Sequence, residues 1–266
     1  MKRAFSTLCC LEYDMAQIYA LASACKMDAV ELRVDDAKLL NFTDAKLWGA
    51  HFSENGIPIC DVATSISVQS SDVGDLYKKY IDLAADLRSP AIRVFAGKTL
   101  RSLEEQGSCD TDGIAAGLKT ICTYAAERGI EVWLETHSEL STGKACRQIL
   151  DAAAMPNLKI LWDVLHSLEF REDISTSLAY IGDALVHVHL KDAVPSADPT
   201  KYHYTHTDLG AGIFPFKHLL EELKKVGYAG YLSLEWESPW CPEIRHLYPD
   251  PRDLLKKYHS VLDAAE

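Results

Sequence analysis

Val132-Trp-Leu-Glu135-Thr-His137, Ile160-Leu-Trp-Asp163-Val-Leu-His166, Leu185-Val-His187-Val-His189-Leu-Lys-Asp192 and Leu232-Ser-Leu-Glu235-Trp-Glu237 each run from apolar residues into side chains that can bind a metal. One such run is common in any protein. Four in succession, separated by helix-length segments, point to parallel strands whose tips converge on one site. In a closed (β/α)₈ barrel the site lies at the C-terminal ends of the strands, which accounts for the pattern.

The same unit extends backwards through the chain. Short apolar runs recur at Ala29–Arg33, Ile57–Asp61, Ala91–Phe95, Ile130–Glu135, Leu158–Asp163, Leu185–His189 and Tyr231–Glu235, and Phe5–Cys9 supplies an eighth. Helical stripes lie between them: Tyr77, Tyr80, Ile81, Ala84 and Leu87 form one, and Phe216, Leu219, Leu220, Leu223 and Val226 another. Pro215 suits a first helical position, and Gly129 and Gly227 suit helix ends. Eight strands alternating with helices predict an α/β fold, a (β/α)₈ TIM barrel in a single domain over residues 1–266. A doubly wound open sheet is the alternative, but it would gather ionisable residues at one switch point rather than along the second half. Two connections exceed what such units need, Phe95 to about Thr111 and Lys191 to Ile213, and loops of that length are expected to be functional or disordered.

The chain has 266 residues, 48% hydrophobic and 25% charged, which suits a barrel of about 250 residues. A net charge of -12 disfavours nucleic acid and anionic membrane as partners, since phosphates would be repelled. Eight scattered cysteines with no Cys-x-x-Cys pair suggest reduced thiols rather than a disulfide framework. The first residues lack the apolar run of a signal peptide, and no stretch approaches the roughly 20 apolar residues of a membrane span. A cytoplasmic protein is expected.

Strand parity decides which side chains share a face. With the last residue of each strand pointing inward, Glu135, Asp163, His189 and Glu235 meet at the barrel mouth. Three carboxylates and one imidazole suit one divalent metal ion, Mn2+ or Mg2+ before Zn2+ or Co2+. His187 lies a layer deeper, as a core histidine or one beside the ligands, and Glu237 belongs to the rim. His137, His166 and Lys191 are candidates to face a substrate. Arg93, a guanidinium at the end of an apolar strand, needs a partner or an anionic substrate. Glu31 and Arg33 are expected to pair with each other. Leu209-Gly-Ala-Gly212 serves either as an anion-binding turn or as a tight entry into the next helix, with the second reading preferred.

The strings Val-Glu-Leu-Arg33, Ile-Arg93-Val-Phe-Ala-Gly, Leu-Glu135-Thr-His, Trp-Asp163-Val-Leu-His, His-Val-His189-Leu-Lys-Asp and Leu-Ser-Leu-Glu235-Trp-Glu resemble the xylose isomerase-like barrels. Within them the resemblance is to the sugar phosphate isomerase/epimerase branch, which includes inosose dehydratase and the tagatose 3-epimerase group. It spans essentially the whole chain and implies a divalent metal held by Glu135, Asp163, His189 and Glu235, with Arg93 and His166 facing substrate. It also implies proton transfer beside a carbonyl, with Glu135 and Glu235 as the catalytic pair, and homodimers or homotetramers. The substrate expected is a small keto sugar, polyol or sugar phosphate.

The resemblance has limits. Ketose 3-epimerases carry an arginine six residues beyond the metal histidine, where this chain has Pro195. A bacterial 3-dehydroshikimate dehydratase group shares Ile-Arg-x-Phe-Ala-Gly, Leu-Glu-Thr-His and Asp-x-x-His, so a metal-dependent dehydratase is the first alternative and a ligand-binding barrel without turnover the second. Endonuclease IV, which needs further histidines where this chain has Asp61 and Arg93, ranks below all of them.

Overall fold

The computed structural model describes residues 1–68, 74–96, 109–198 and 204–266. Eight parallel strands close into a barrel: β1 (Lys2–Ser6), β2 (Ala29–Arg33), β3 (Ile59–Val68), β4 (Ala91–Ala96), β5 (Glu131–Glu135), β6 (Leu158–Asp163), β7 (Leu185–Leu190) and, after a two-stranded excursion β8 (Ala193–Pro195) and β9 (Tyr204–His206), β10 (Tyr231–Leu234). Around the barrel the order is β1-β10-β7-β6-β5-β4-β3-β2, so sequential barrel strands are neighbours throughout. The open-sheet alternative is thereby excluded.

The boundaries follow local chemistry. β1 occupies Lys2–Ser6 rather than Phe5–Cys9; beyond Ser6 the pairing with β2 and β10 ends, and Thr7–Cys10 turns into a 3-10 segment. β3 starts at Ile59 rather than Ile57 because Pro58 has no amide to donate, although its carbonyl still accepts from Val30 N at 3.0 Å. Glu235 lies one residue past β10, yet its amide donates to Leu190 O at 3.0 Å, so the ladder still fixes its direction.

The outer faces of the strands pack on the helices. In the helix Leu76–Asp86 the predicted stripe Tyr77, Tyr80, Ile81 and Ala84 is buried, as is Leu87 at its end. In the helix Phe216–Lys225 the first four predicted residues are buried, but Val226 is 52% exposed: it caps the helix end and turns to solvent. Pro215 caps that helix instead of opening it. Gly129 and Gly227 take left-handed φ values of +69° and +73°, a conformation that costs a residue with a Cβ.

The inside of the barrel is charged. Glu31, Asp61, Arg93, Glu135, Asp163, His187, His189 and Lys191 are all buried to within about 2%. Such groups persist only when they compensate one another or hold an ion. All eight cysteines are free. Among the described residues no helix is long and apolar enough to cross a membrane. The predicted Phe95–Thr111 connection lies mostly outside the described residues. Residues 191–213, expected as a functional or disordered loop, contain the antiparallel pair β8–β9.

Candidate metal centre and substrate cavity

Each proposed ligand is aimed by its strand end. Asp163 closes β6 and caps the short helix Val164–Glu169, accepting from His166 N at 3.3 Å. The same cap brings His166 back over the barrel mouth, where its Nδ1 donates to Thr136 O at 2.8 Å. Thr136 ties β5 to β6 through two bonds: its hydroxyl donates to Asp163 O at 3.1 Å and accepts from Asp163 N at 2.8 Å. Asp163 in turn pairs laterally with His189 across β6 and β7.

Glu135, Asp163, His189 and Glu235 converge, each offering one ligand atom within 4.8 Å of the others. His189 Nδ1 lies 3.7 Å from Glu135 Oε1 and 3.3 Å from Glu235 Oε2. Its other nitrogen donates to Glu31 Oε2 at 2.7 Å. A neutral imidazole oriented this way keeps the Nδ1 lone pair for a metal, the carboxylate–histidine arrangement common beside metal sites. Buried Glu135 Oε2 and Asp163 Oδ2 face only the cations Arg93, at 3.1 Å, and Lys191, at 2.6 Å, and buried His189 Nδ1 faces only carboxylates. The donor set therefore fits a divalent ion.

Lys191 supplies positive charge at the same place. Its Nζ sits 2.6 Å from both Asp163 Oδ2 and Glu235 Oε2 and also contacts Glu237 Oε1. Burial works against the ammonium, but Asp163, Glu235 and Glu237 outweigh it and hold the lysine well above its ordinary range. Burial likewise opposes the charged form of Glu135, yet Arg93, 3.1 Å away, brings the carboxyl down to about 2. His189 is raised well above its usual value: burial is overcome by Glu235 and Glu31. A metal at Nδ1 would displace that proton.

A cavity of about 550 Å³ opens above these groups, lined among others by Arg33, Phe95, His137, His166, Glu237 and Trp240. Arg93 stacks on Phe95, its guanidinium carbon 4.1 Å from the ring centre. His137 packs between Phe95 and His166, with ring centres 4.6 and 4.9 Å away. Burial, then the neighbouring His166, push His137 down to about 4, so it is neutral near pH 7.

The structure brings together every residue singled out for the site. It differs from the reading in three places. Glu31 does not pair with Arg33; it accepts from His187 at 3.1 Å, His189 at 2.7 Å and Ser233 at 3.0 Å. Arg33 instead donates to Val34 O and Ala63 O, both at 3.0 Å, and to Ser65 Oγ at 2.5 Å. Two residues apart on β2, the side chains share a face but stand in different layers. Lys191 is engaged by the ligand carboxylates themselves. The Leu209–Gly212 turn holds an anion, but it is the chain's own: Asp192 accepts from the amides of Ala193, Gly210, Gly212 and Phe214 at 2.8–3.0 Å. Trp240 carried no sequence signal, because a turn residue has no periodicity to place it, and Ser65 lies in the part of β3 beyond the predicted Ile57–Asp61 run.

Comparison with known proteins agrees with this geometry. The sequence profile described as xylose isomerase-like TIM barrel matches residues 19–258. A fructoselysine 3-epimerase of Shigella flexneri is 26% identical over 202 residues, covering 72% of this chain and 67% of that protein. A probable 3-DHS dehydratase, AsbF, from Bacillus anthracis superimposes with a TM-score of 0.78 at 19% identity, over 99% of each chain. The IOLI protein, solved with a zinc atom bound, does so with 0.79 at 16% identity, over 100% of this chain and 98% of its own. At such identities the solved structures speak to the fold. The profile match over most of the chain speaks to ancestry: this protein belongs to the xylose isomerase-like TIM barrel family.

Proposed function

We propose that the protein is a divalent-metal-dependent isomerase or epimerase that moves a proton beside the carbonyl of a small keto sugar, polyol or sugar phosphate. The observation that carries this reading is the approach of Glu135 and Glu235 to one imidazole nitrogen, His189 Nδ1, at the floor of a cavity of about 550 Å³. The curated relative named as a 3-epimerase supports it. Glu135, Asp163, His189 and Glu235 would hold the metal, which when bound supplies Lewis-acid polarisation of the substrate carbonyl.

The chain's own residues do the rest. Glu135 and Glu235 stand on barrel strands three steps apart, so their carboxylates reach a bound carbon from different sides. Both are held ionised, Glu235 well below its ordinary range because His189 and Lys191 outweigh burial. One removes the carbon-bound proton, and the other returns a proton to the opposite face. Arg93, His137 and His166 orient the substrate's oxygens, Lys191 holds the carboxylates of Asp163, Glu235 and Glu237 in place, and Phe95 gives the wall an apolar face.

A second reading is a dehydratase for an acid-bearing keto-polyol. It is favoured by Arg33 and Arg93, which line one cavity; Arg33 spends its donors on carbonyls and a hydroxyl rather than on a carboxylate. Incubation of metal-loaded protein in deuterated water with free ketoses, phosphorylated ketoses and 3-dehydroshikimate distinguishes the readings. Deuterium in a recovered ketose, lost in Glu135→Gln, supports the first. An ultraviolet-absorbing dehydrated product supports the second, and no turnover of any substrate defeats both.

A further inference from the structure

At the rim of the barrel, next to the four-residue shell and joined to it through Lys191, three more ligand-bearing side chains meet. His206 comes from β9, and Glu237 and Cys241 from the turn that follows β10. One ligand atom of each lies within 4.8 Å of the other two. Glu237 and Cys241 are presented together by a helical turn, in which Cys241 N donates to Glu237 O at 2.9 Å and Trp240 N to the same oxygen at 3.0 Å. A turn of that kind sets side chains four residues apart on one face. His206 approaches from the other segment, held in register opposite Ala193.

The donor chemistry is specific. A thiolate, a carboxylate and a neutral imidazole balance the charge of one divalent cation and leave a fourth position for water. The sulfur and nitrogen favour a borderline ion such as Zn2+ over Mg2+. Burial, before any neighbour, keeps His206 on the neutral side. The Cys241 thiol is raised to about 12 by burial and by Glu237 and Glu243; a binding cation would release its proton to solvent. Glu237 meets Lys191 through Oε1, which leaves Oε2 for a second partner. All three side chains are only partly buried, so an ion can reach them.

We propose that His206, Glu237 and Cys241 form a second, thiolate-containing divalent metal site that clasps the β8–β9 excursion to the turn after β10 at the cavity mouth. The hairpin is otherwise secured at its base, where Thr207 N donates to Asp192 O at 3.0 Å and Tyr248 donates to Asp208 at 2.5 Å. The clasp would fasten it beside Glu237, which also lines the cavity. Occupancy therefore sets how firmly that wall is held.

Cobalt(II) tests this independently of any activity, because the shell at Glu135, Asp163, His189 and Glu235 contains no sulfur. The full chain, saturated with Co2+ and freed of excess, is expected to carry two equivalents of metal and a near-ultraviolet thiolate-to-cobalt charge-transfer band. Cys241→Ser and His206→Ala, each checked for folding by circular dichroism, should abolish the band and lose one equivalent. Asp163→Asn should lose the other equivalent and keep the band. Absence of the band in the parent protein, or its survival in both Cys241→Ser and His206→Ala, overturns the site.

Discussion

Glu31 and His189, 158 residues apart in the chain, share a buried hydrogen bond of 2.7 Å between Oε2 and Nε2. The same oxygen also accepts from His187 and Ser233. One carboxylate thus orients the histidine whose other nitrogen faces Glu135 and Glu235. Glu31→Ala should weaken metal binding by roughly 10–100-fold and cost about 2–3 kcal/mol of stability, since buried donors lose their acceptor. Glu31→Gln, which keeps an acceptor, should fall nearer the lower figure. Chelator-competition titration measures the first effect and urea denaturation the second; unchanged affinity in Glu31→Ala would remove Glu31 from the metal site.

Metal should stabilise the fold. With free ion at a hundredfold excess over Kd, linkage gives about 2.7 kcal/mol, visible as a rise in Tm over the chelated protein. Glu135→Gln and Asp163→Asn should erase the part of that rise that the four-residue shell supplies, and Glu135→Gln should lower kcat by roughly 10²–10⁴-fold as a proton acceptor is lost. A full metal-dependent Tm rise in both variants would assign the ion elsewhere.

Asp192 should matter more for the fold than for chemistry. Its two oxygens satisfy four backbone amides from Ala193 to Phe214. Asp192→Ala should cost about 3–5 kcal/mol, because buried amides are left unpaired beside a lost charge. Gly212→Ala should also destabilise, by about 3 kcal/mol, since a Cβ there would overlap Asp192 Oδ1 and Ala193 O. Thermal melts of both variants, with Gly210→Ala as a comparison that also strains a left-handed φ of +78°, measure the effect. A melting point equal to the parent's in Asp192→Ala would contradict it.

His137 gives the protein an acid-sensitive element. Its folded-state value is depressed to about 4, by burial and then by His166, whereas the unfolded chain titrates near 6.5. Between these values the unfolded state binds more protons, so stability is complete above about pH 6.5 and declines as pH falls toward 4. The full effect is up to about 3 kcal/mol. Urea denaturation at pH 7 and pH 5 should show a smaller decline in His137→Gln than in the parent; equal declines would place the sensitivity in another group.

The barrel was legible because its cause is local and repeated. Apolar runs at Ala29–Arg33, Leu158–Asp163 and Leu185–His189 have the length and composition of buried parallel strands, and the structure matches them to within a residue. Strand parity likewise anticipated that Glu135, Asp163, His189 and Glu235 would face one point. The misreadings arose where pairing, not pattern, decides. β1 ends where its pairing with β2 and β10 stops, and Val226 faces solvent because its helix has run out.

By itself, the sequence determined the alternation of strand and helix and the inward direction of strand-end side chains, since both follow from the two-residue and 3.6-residue periods of the backbone. Only the tertiary structure decided who partners whom. Glu31 meets His189 rather than Arg33, Asp192 rather than an outside anion fills the Gly210–Gly212 turn, and Lys191 reaches three carboxylates at once. Those pairings depend on barrel closure, which sets residues over a hundred positions apart within hydrogen-bonding distance and buries them where an uncompensated charge would be too costly to keep.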